Sequence, residues 1–105
     1  MHYPPHKSSF ALDPDIATVL PQFIAGLPAT VAQLRAFAAQ NHAEELRRRL
    51  HQLKGAGKSY GFEPISTLAG GLEDLLLAQR PLAELLSRLD ELLEYMESVE
   101  GYSPR

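Results

Sequence analysis

The chain contains no cysteine among its 105 residues. Without thiols it forms neither a disulfide framework nor a thiolate zinc site, so a reducing, cytoplasmic setting is the simplest expectation. The N-terminus has no signal-peptide pattern, and we see no apolar run approaching the roughly 20 residues of a membrane span. These absences favour a cytoplasmic protein that has no membrane partner.

Strand patterning is lacking as well. No stretch alternates between apolar and polar residues, whereas the eighteen leucines recur at the three- and four-residue steps of amphipathic helices. Residues 1–12 carry two prolines and little periodicity, which indicates a mobile lead-in. Residues 13–105 are enough for one domain. We therefore predict an all-α fold, an antiparallel up-down four-helix bundle with short connections.

The first predicted helix contains prolines. Asp13 is its expected N-cap and Pro14 its first residue, a position where proline is favoured. Because the apolar register continues across Pro21 and Pro28, we expect one helix that is bent at these prolines.

Three further, shorter helices are predicted after the first. Asn41 with Glu44 resembles a capping box at the start of the second helix. The third helix is expected to open at Glu63, and the fourth to run from Pro81 to Gly101. The apolar stripe of the fourth helix is predicted to bury Leu82, Leu85, Leu86, Leu89, Leu93, Met96 and Val99.

A histidine lies off the apolar stripe of the second helix. That stripe, at 100° per residue, consists of Leu46, Leu50, Leu53, Gly57 and Tyr60. His51 falls on the polar side with Arg47 and Lys58, and Lys54 lies at the border. Gly55 is also outside the stripe, where a glycine costs about 1 kcal/mol of helix stability without a packing benefit. An exposed histidine beside a glycine is typical of a site that another protein's backbone approaches.

Charge is distributed unevenly. Residues 41–60 carry five Lys and Arg residues against two Glu residues, whereas residues 61–105 carry nine acidic residues and three Arg. The acidic half would repel nucleic acid at long range. A local anion, or an acidic pocket on a partner protein, suits the basic patch better.

Several catalytic and metal patterns are incomplete. Gly57-Lys58-Ser59 matches the end of a phosphate-binding loop, but the required upstream glycine is Gln52 and no strand precedes it. The four histidines do not converge as a metal site requires. Ser59 and His51 are on different faces, and no carboxylate is evidently placed to orient the imidazole. We therefore expect no metal site and no autonomous enzymatic activity.

The stretch His51-Gln52-Leu53-Lys54-Gly55, continuing through Gly57 to Ser59-Tyr60-Gly61-Phe62, resembles the signature of histidine phosphotransfer domains. It is also similar to the phosphoacceptor domain of chemotaxis histidine kinases. Leu72-Glu73 in the third helix is similar to a recurrent Leu-Glu pair of that family. The likeness extends over most of the chain.

The resemblance implies that His51 accepts a phosphoryl group on its outer ring nitrogen and exchanges it with an aspartate of a receiver domain. It further implies that Lys54 stabilises the phosphoryl charge and that Gly55 leaves room for the partner, with Arg47, Arg48 and Lys58 contributing to partner binding. Lys58 departs from the family pattern, in which a small residue is frequent. The chain needs no cofactor of its own, and Mg²⁺ is expected from the receiver.

The implied partners are a response-regulator receiver domain and a sensor or hybrid histidine kinase, and a monomer is expected. Two alternatives stay open at this point. The chain is either a phosphoryl carrier or an interaction module that binds these partners without being phosphorylated. It is either free-standing or the acceptor domain of a larger kinase.

Overall fold

A computed structural model describes residues 7–103, so residues 1–6 of the predicted lead-in, with His2 and His6, lie outside the described residues. The described part is all-α, with four helices and no β-strand, which confirms the predicted fold class. The helices are α1 (Pro14–Ala39), α2 (Ala43–Ser59), α3 (Glu63–Leu77) and α4 (Leu82–Glu97).

The helices pack in a ring. α1 contacts α2 and α4, and α3 contacts the same two helices. Phe23 of α1 stacks on Tyr60, the C-cap of α2, whereas Thr30, farther along α1, receives a hydrogen bond from Arg49. Because the order of contacts along one helix is reversed along the other, α1 and α2 run in opposite directions.

The same reversal relates α2 to α3. Gly57, near the end of α2, lies against Ile65 at the start of α3, whereas the earlier Lys54 lies across Gly70. The contacts of these two pairs agree with the predicted up-down topology. The fully buried large side chains at the centre of the ring are Phe62, Leu27, Leu34, Leu46, Leu50, Leu53, Ile65, Leu72, Leu92, Leu93 and Met96.

The start and the continuity of α1 follow the sequence prediction. The Asp13 carboxylate accepts hydrogen bonds from the backbone nitrogens of Asp15 and Ile16, at 2.9 and 3.5 Å. The helix then continues through Pro21 and Pro28 without interruption. The bend at these prolines stays a prediction.

The apolar character of α1 requires a correction. By length and composition this helix is long and apolar enough to cross a membrane, although we expected no such run. Residues 16–34 contain no charged side chain. Because prolines, a glycine and polar residues interrupt the apolar residues, the sequence shows no continuous apolar run. In this structure α1 packs as a bundle helix through Leu20, Leu27, Thr30, Val31 and Leu34.

The predicted capping box at Asn41 is wrong. Asn41 has a φ of 57°, in the left-handed region that asparagine tolerates, and α2 is preceded by His42, whose side chain makes no capping hydrogen bond. Asn41 therefore shapes the connection between α1 and α2. The Glu44 carboxylate instead pairs with Arg47 and Arg48.

The fourth helix is shorter than predicted, and its buried face, which includes the predicted Leu85, Leu89, Leu93 and Met96, differs from the prediction in part. α4 ends at Glu97, and Gly101 lies beyond it in the left-handed region, with a φ of 94°. Leu82 and Leu86 are 60% and 40% exposed, because the first lies in the opening turn at the end of the bundle and the second at the edge of the stripe. Leu92, which the predicted stripe omitted, is fully buried.

Candidate functional site

The position of His51 follows from the amphipathic pattern of α2. The residues of this helix that face the core are Leu46, Leu50, Leu53 and Gly57, as the sequence predicted. His51 projects away from them, and 67% of its side chain is exposed. The imidazole is therefore presented to solvent on a helix whose opposite face is fixed in the core.

A carboxylate from α3 orients this imidazole. Oε2 of Glu73 lies 3.0 Å from Nδ1 of His51, and Oε1 of the same group lies 3.3 Å away. An ionised carboxylate can only accept a hydrogen bond, so the neutral ring donates from Nδ1–H. Nε2 then carries the lone pair.

Glu73 corrects the expectation that no carboxylate orients His51. Its side chain is only 9% exposed, although it is ionisable and lies in the apolar stripe of α3. From the sequence we considered carboxylates near His51 in α2. Glu73 lies 22 residues away in the chain, and its position beside His51 depends on how α2 and α3 pack. The available signal was the acid itself, since a carboxylate on a buried helix face requires a partner.

The buried charge of Glu73 has a second partner in Arg47. Nη1 of Arg47 lies 3.4 Å from Oε2 of Glu73, and its Nη2 lies 2.7 Å from Oε2 of Glu44. The hydrogen bond from Arg47 lowers the pKa of Glu44, and the hydrogen bond to Glu44 raises the pKa of Arg47. Arg47, one of the predicted partner-binding residues, thus forms ion pairs with two acids of its own chain.

The other predicted cations are exposed. The stem of Lys54 lies across α3, its Cδ 3.3 Å from where a Cβ of Gly70 would be. Arg48 has a side chain that is 73% exposed and lies 3.5 Å from Glu44. Lys58 is exposed in the last turn of α2. The structure thus places Lys54 on the α2–α3 seam, where His51 meets Glu73.

Arg49, the third of the consecutive arginines in α2, has a structural role. Arg49 donates hydrogen bonds to Thr30 and Gln33 of α1, and to Gln52 of its own helix. It therefore ties α2 to α1 on the side of the helix away from the α3 seam.

The two glycines of α2 have opposite surroundings. A Cβ built at Gly57 would lie 2.7 Å from the backbone nitrogen of Ser66 and 2.9 Å from Cβ of Ile65, which is too close for any side chain. A Cβ at Gly55 would have nothing within 4 Å. Gly57 thus permits close packing of α2 on α3, whereas Gly55 leaves open space one turn from His51.

This arrangement presents an imidazole on an exposed face of α2. The His51 side chain is mostly exposed, its Nδ1 contacts Glu73, and the exposed Lys54 and Lys58 lie along the same helix. A groove of about 810 Å³ runs along α1 past Pro21 and Pro28, but none of its lining residues belongs to α2 or α3. The geometry suits an imidazole that reacts with a group carried by another molecule.

Comparison with known protein families identifies a match. The family model described as "Hpt domain" matches residues 18–101, which include most of α1 and all of α2, α3 and α4. No curated protein and no solved structure matches the chain.

Proposed function

Because the chain belongs to the Hpt domain family, whose members act in two-component phosphorelays, we propose that it relays phosphoryl groups between His51 and receiver-domain aspartates. The observation that carries this proposal is the exposed imidazole with Nδ1 held by Glu73 at 3.0 Å. A ring held in this way offers Nε2 as a nucleophile to an incoming phosphoryl group.

The proposed transfer takes place between the imidazole of this chain and an aspartate of the receiver. The lone pair of Nε2 attacks the phosphorus of an aspartyl phosphate, and the bond from phosphorus to the aspartate oxygen breaks with its electrons leaving on the carboxylate. The proton on Nδ1 stays in place, so the phosphorylated ring becomes cationic. Glu73, accepting the hydrogen bond from Nδ1, offsets this positive charge, as the acid of a catalytic triad does for its histidine. The reverse transfer follows the same path.

The surrounding residues have separable roles in this proposal. Lys54 offsets the charge of the phosphoryl oxygens, because it lies one turn from His51 on the α2–α3 seam. Arg48 and Lys58 meet acidic groups at the rim of the receiver. Gly55, with open space around it, allows the receiver's backbone to approach.

The chemistry implies Mg²⁺, and the residues at His51 do not fit this ion. Mg²⁺ prefers several oxygen ligands in octahedral geometry, and Glu73 is already engaged by His51 and Arg47. The ion therefore belongs to the receiver. In this proposal the chain is a monomeric cytoplasmic carrier and substrate, and a sensor or hybrid histidine kinase is the source of the phosphoryl group.

Phosphorylation of the purified chain tests the proposal. The chain is incubated with phosphoramidate, and separately with a receiver domain that has been phosphorylated with acetyl phosphate in Mg²⁺. We expect a label that is lost in acid and kept in base, as a phosphohistidine is. His51→Gln should take no label, while its free energy of unfolding changes by less than about 0.5 kcal/mol because the position is exposed.

The same experiment separates the alternative. A chain that binds the receiver but takes no label from either donor is an interaction module, and the carrier proposal is then wrong. Labelling that persists in His51→Gln would place the acceptor elsewhere.

A further inference from the structure

One oxygen of Glu73 is shared by two cation-forming side chains. Oε2 lies 3.0 Å from Nδ1 of His51 and 3.4 Å from Nη1 of Arg47. Glu73 is nine-tenths buried, whereas the imidazole is two-thirds exposed. The acid therefore has little water around it, and its charge is offset by Arg47 while the imidazole donates a hydrogen bond to it.

The charge at Glu73 affects whether the His51 imidazole can act as a nucleophile. A buried carboxylate beside an imidazole favours the doubly protonated ring, because opposite charges stabilise each other at close range. An imidazolium has no lone pair on Nε2 and cannot attack phosphorus. A guanidinium on the same carboxylate oxygen offsets part of that negative charge and so reduces the attraction for a second ring proton.

Glu44 keeps Arg47 in this place. Two hydrogen bonds, of 2.7 and 3.2 Å, join the guanidinium to Glu44 one turn earlier in α2. These bonds fix the side chain along the helix, with Nη1 directed at α3. Arg47 is thus hydrogen-bonded to Glu44 of its own helix and contacts Glu73 of α3.

We propose that Arg47 is a positioning residue for the phosphoacceptor, which holds the Glu73 carboxylate against Nδ1 of His51 and offsets part of its negative charge. This inference rests on the proposed function in that it assigns Arg47 to the reaction of His51. It differs from the sequence expectation that Arg47 serves partner binding.

The charged groups around His51 come from two helices. On α2 they are Glu44, Arg47, Arg48, Lys54 and Lys58, and on α3 they are Glu73 and the exposed Asp74. α1 meets the other side of α2 through Thr30 and Arg49. Of these groups, Glu73 contacts the imidazole, so a change at Arg47 reaches His51 through that carboxylate.

The first test is spectroscopic and needs no phosphoryl donor. The ¹⁵N chemical shifts of the His51 ring are measured at pH 7 in the wild type, Arg47→Ala, Arg47→Lys and Arg48→Ala. Arg48→Ala is the matched control, because it removes the same charge from the next residue without touching Glu73. We expect Arg47→Ala to raise the ratio of doubly protonated to neutral ring at least about threefold, since one opposite charge at such distances alters this balance by that order. Arg47→Lys should restore most of the wild-type ratio.

The second test is the pH profile of phosphorylation by phosphoramidate, which involves no partner protein. The rate of Arg47→Ala divided by that of the wild type should fall toward about one third as the pH is lowered and should return to one or more as the pH is raised, because the neutral ring then predominates in both. A ratio that is reduced equally at every pH would show a merely structural role and overturn the proposal.

The two tests fail in different ways. Unchanged ¹⁵N shifts in Arg47→Ala overturn the role of Arg47, whether or not the chain is phosphorylated. Altered shifts with a wild type that takes no label leave the Arg47–Glu73–His51 coupling established and overturn the proposed function instead. Normal phosphorylation by phosphoramidate with normal shifts, but weaker receiver binding, would return Arg47 to partner binding.

Discussion

Gly57 of α2 and Ile65 of α3 lie so close that a Cβ on the glycine would be 2.9 Å from Cβ of the isoleucine. This approach fixes the separation of the two backbones near the end of α2. Earlier in α2, the same separation lets the carboxylate of Glu73 reach Nδ1 of His51. Gly57 therefore affects the contact between His51 and Glu73 indirectly, because it sets the distance between α2 and α3.

Gly57→Ala should destabilise the fold, because the methyl group meets the backbone nitrogen of Ser66 at 2.7 Å and α3 must move away. Such overpacking typically costs about 1–3 kcal/mol. The loss is measured by urea unfolding. Gly55→Ala is the matched control and should gain up to about 1 kcal/mol, because nothing lies near its Cβ and alanine favours the helix. Equal effects at the two glycines would contradict the packing assigned to Gly57.

Glu73→Gln should slow phosphorylation of His51 by phosphoramidate about five- to tenfold. The amide still accepts a hydrogen bond from Nδ1, but it loses the charge that offsets the cationic phosphorylated ring, a difference of about 1 to 1.4 kcal/mol. Asp74→Asn, which changes the neighbouring exposed acid, serves as the control and should keep the wild-type rate. A wild-type rate in Glu73→Gln would show that hydrogen-bond geometry alone is sufficient.

Local patterns in the sequence predicted much of this molecule. The 3.6-residue period located the four helices and put His51 on the exposed face of α2, because that face depends only on residues of the same helix. Asp13 and Pro14 predicted the start of α1 for the same reason. The capping role given to Asn41 was wrong, because asparagine also suits a left-handed turn and its sequence context does not decide between the two.

The partners of His51 depend on packing between helices, and this is where sequence reasoning was incomplete. Glu73 reaches the imidazole because Gly57 brings α2 and α3 together, a relation between residues that are far apart in the chain. Arg47 was expected at the partner surface, whereas the structure pairs it with Glu44 and Glu73. The resemblance supplied Leu72-Glu73 as a recurrent pair but not the contact that Glu73 makes.

The ion pair of Glu44 predicts a pH dependence of stability. The hydrogen bond from Arg47 lowers the pKa of Glu44 in the folded chain below its ordinary value of 4.5. Its contribution to stability is therefore present above about pH 4.5 and is lost as the pH falls through the folded pKa. The free energy of unfolding of Glu44→Gln should be below that of the wild type at pH 7 and should approach it as the pH falls through the lowered pKa of Glu44.

Glu45→Gln is the matched control for this measurement, because Glu45 is the other acid in the first turn of α2. Both substitutions remove an acid near the positive end of the helix dipole. The pH-dependent difference should be larger at Glu44. Identical curves for the two variants would assign the whole effect to the dipole.

Gly55→Gln should impair transfer from a phosphorylated receiver and leave labelling by phosphoramidate unchanged. The glutamine side chain enters the open space beside His51, where it obstructs a protein-sized partner but not a small molecule. The ratio of the two rates is the measurement, since it cancels any change in the reactivity of the ring. A receiver transfer rate equal to that of the wild type would contradict the clearance role.

Lys54 and Lys58 should affect different steps of receiver transfer. Lys54 is one helical turn from His51 and lies on the α2–α3 seam, whereas Lys58 is exposed in the last turn of α2, two turns and about 10 Å along the helix. Lys54→Ala is therefore expected to slow the chemical step. Lys58→Ala should mainly weaken association with the receiver and reduce its dependence on salt, because it removes a charge at the rim of the contact.

Single-turnover transfer at saturating receiver separates these two effects. The saturated rate should fall about tenfold in Lys54→Ala, which corresponds to the loss of about 1.4 kcal/mol of charge stabilisation in the transition state. In Lys58→Ala that rate should stay near the wild-type value, while the receiver concentration needed for half saturation rises and depends less on ionic strength. If Lys58→Ala lowers the saturated rate as much as Lys54→Ala does, both ammonium groups act on the phosphoryl group, and the last turn of α2 belongs to the reacting site.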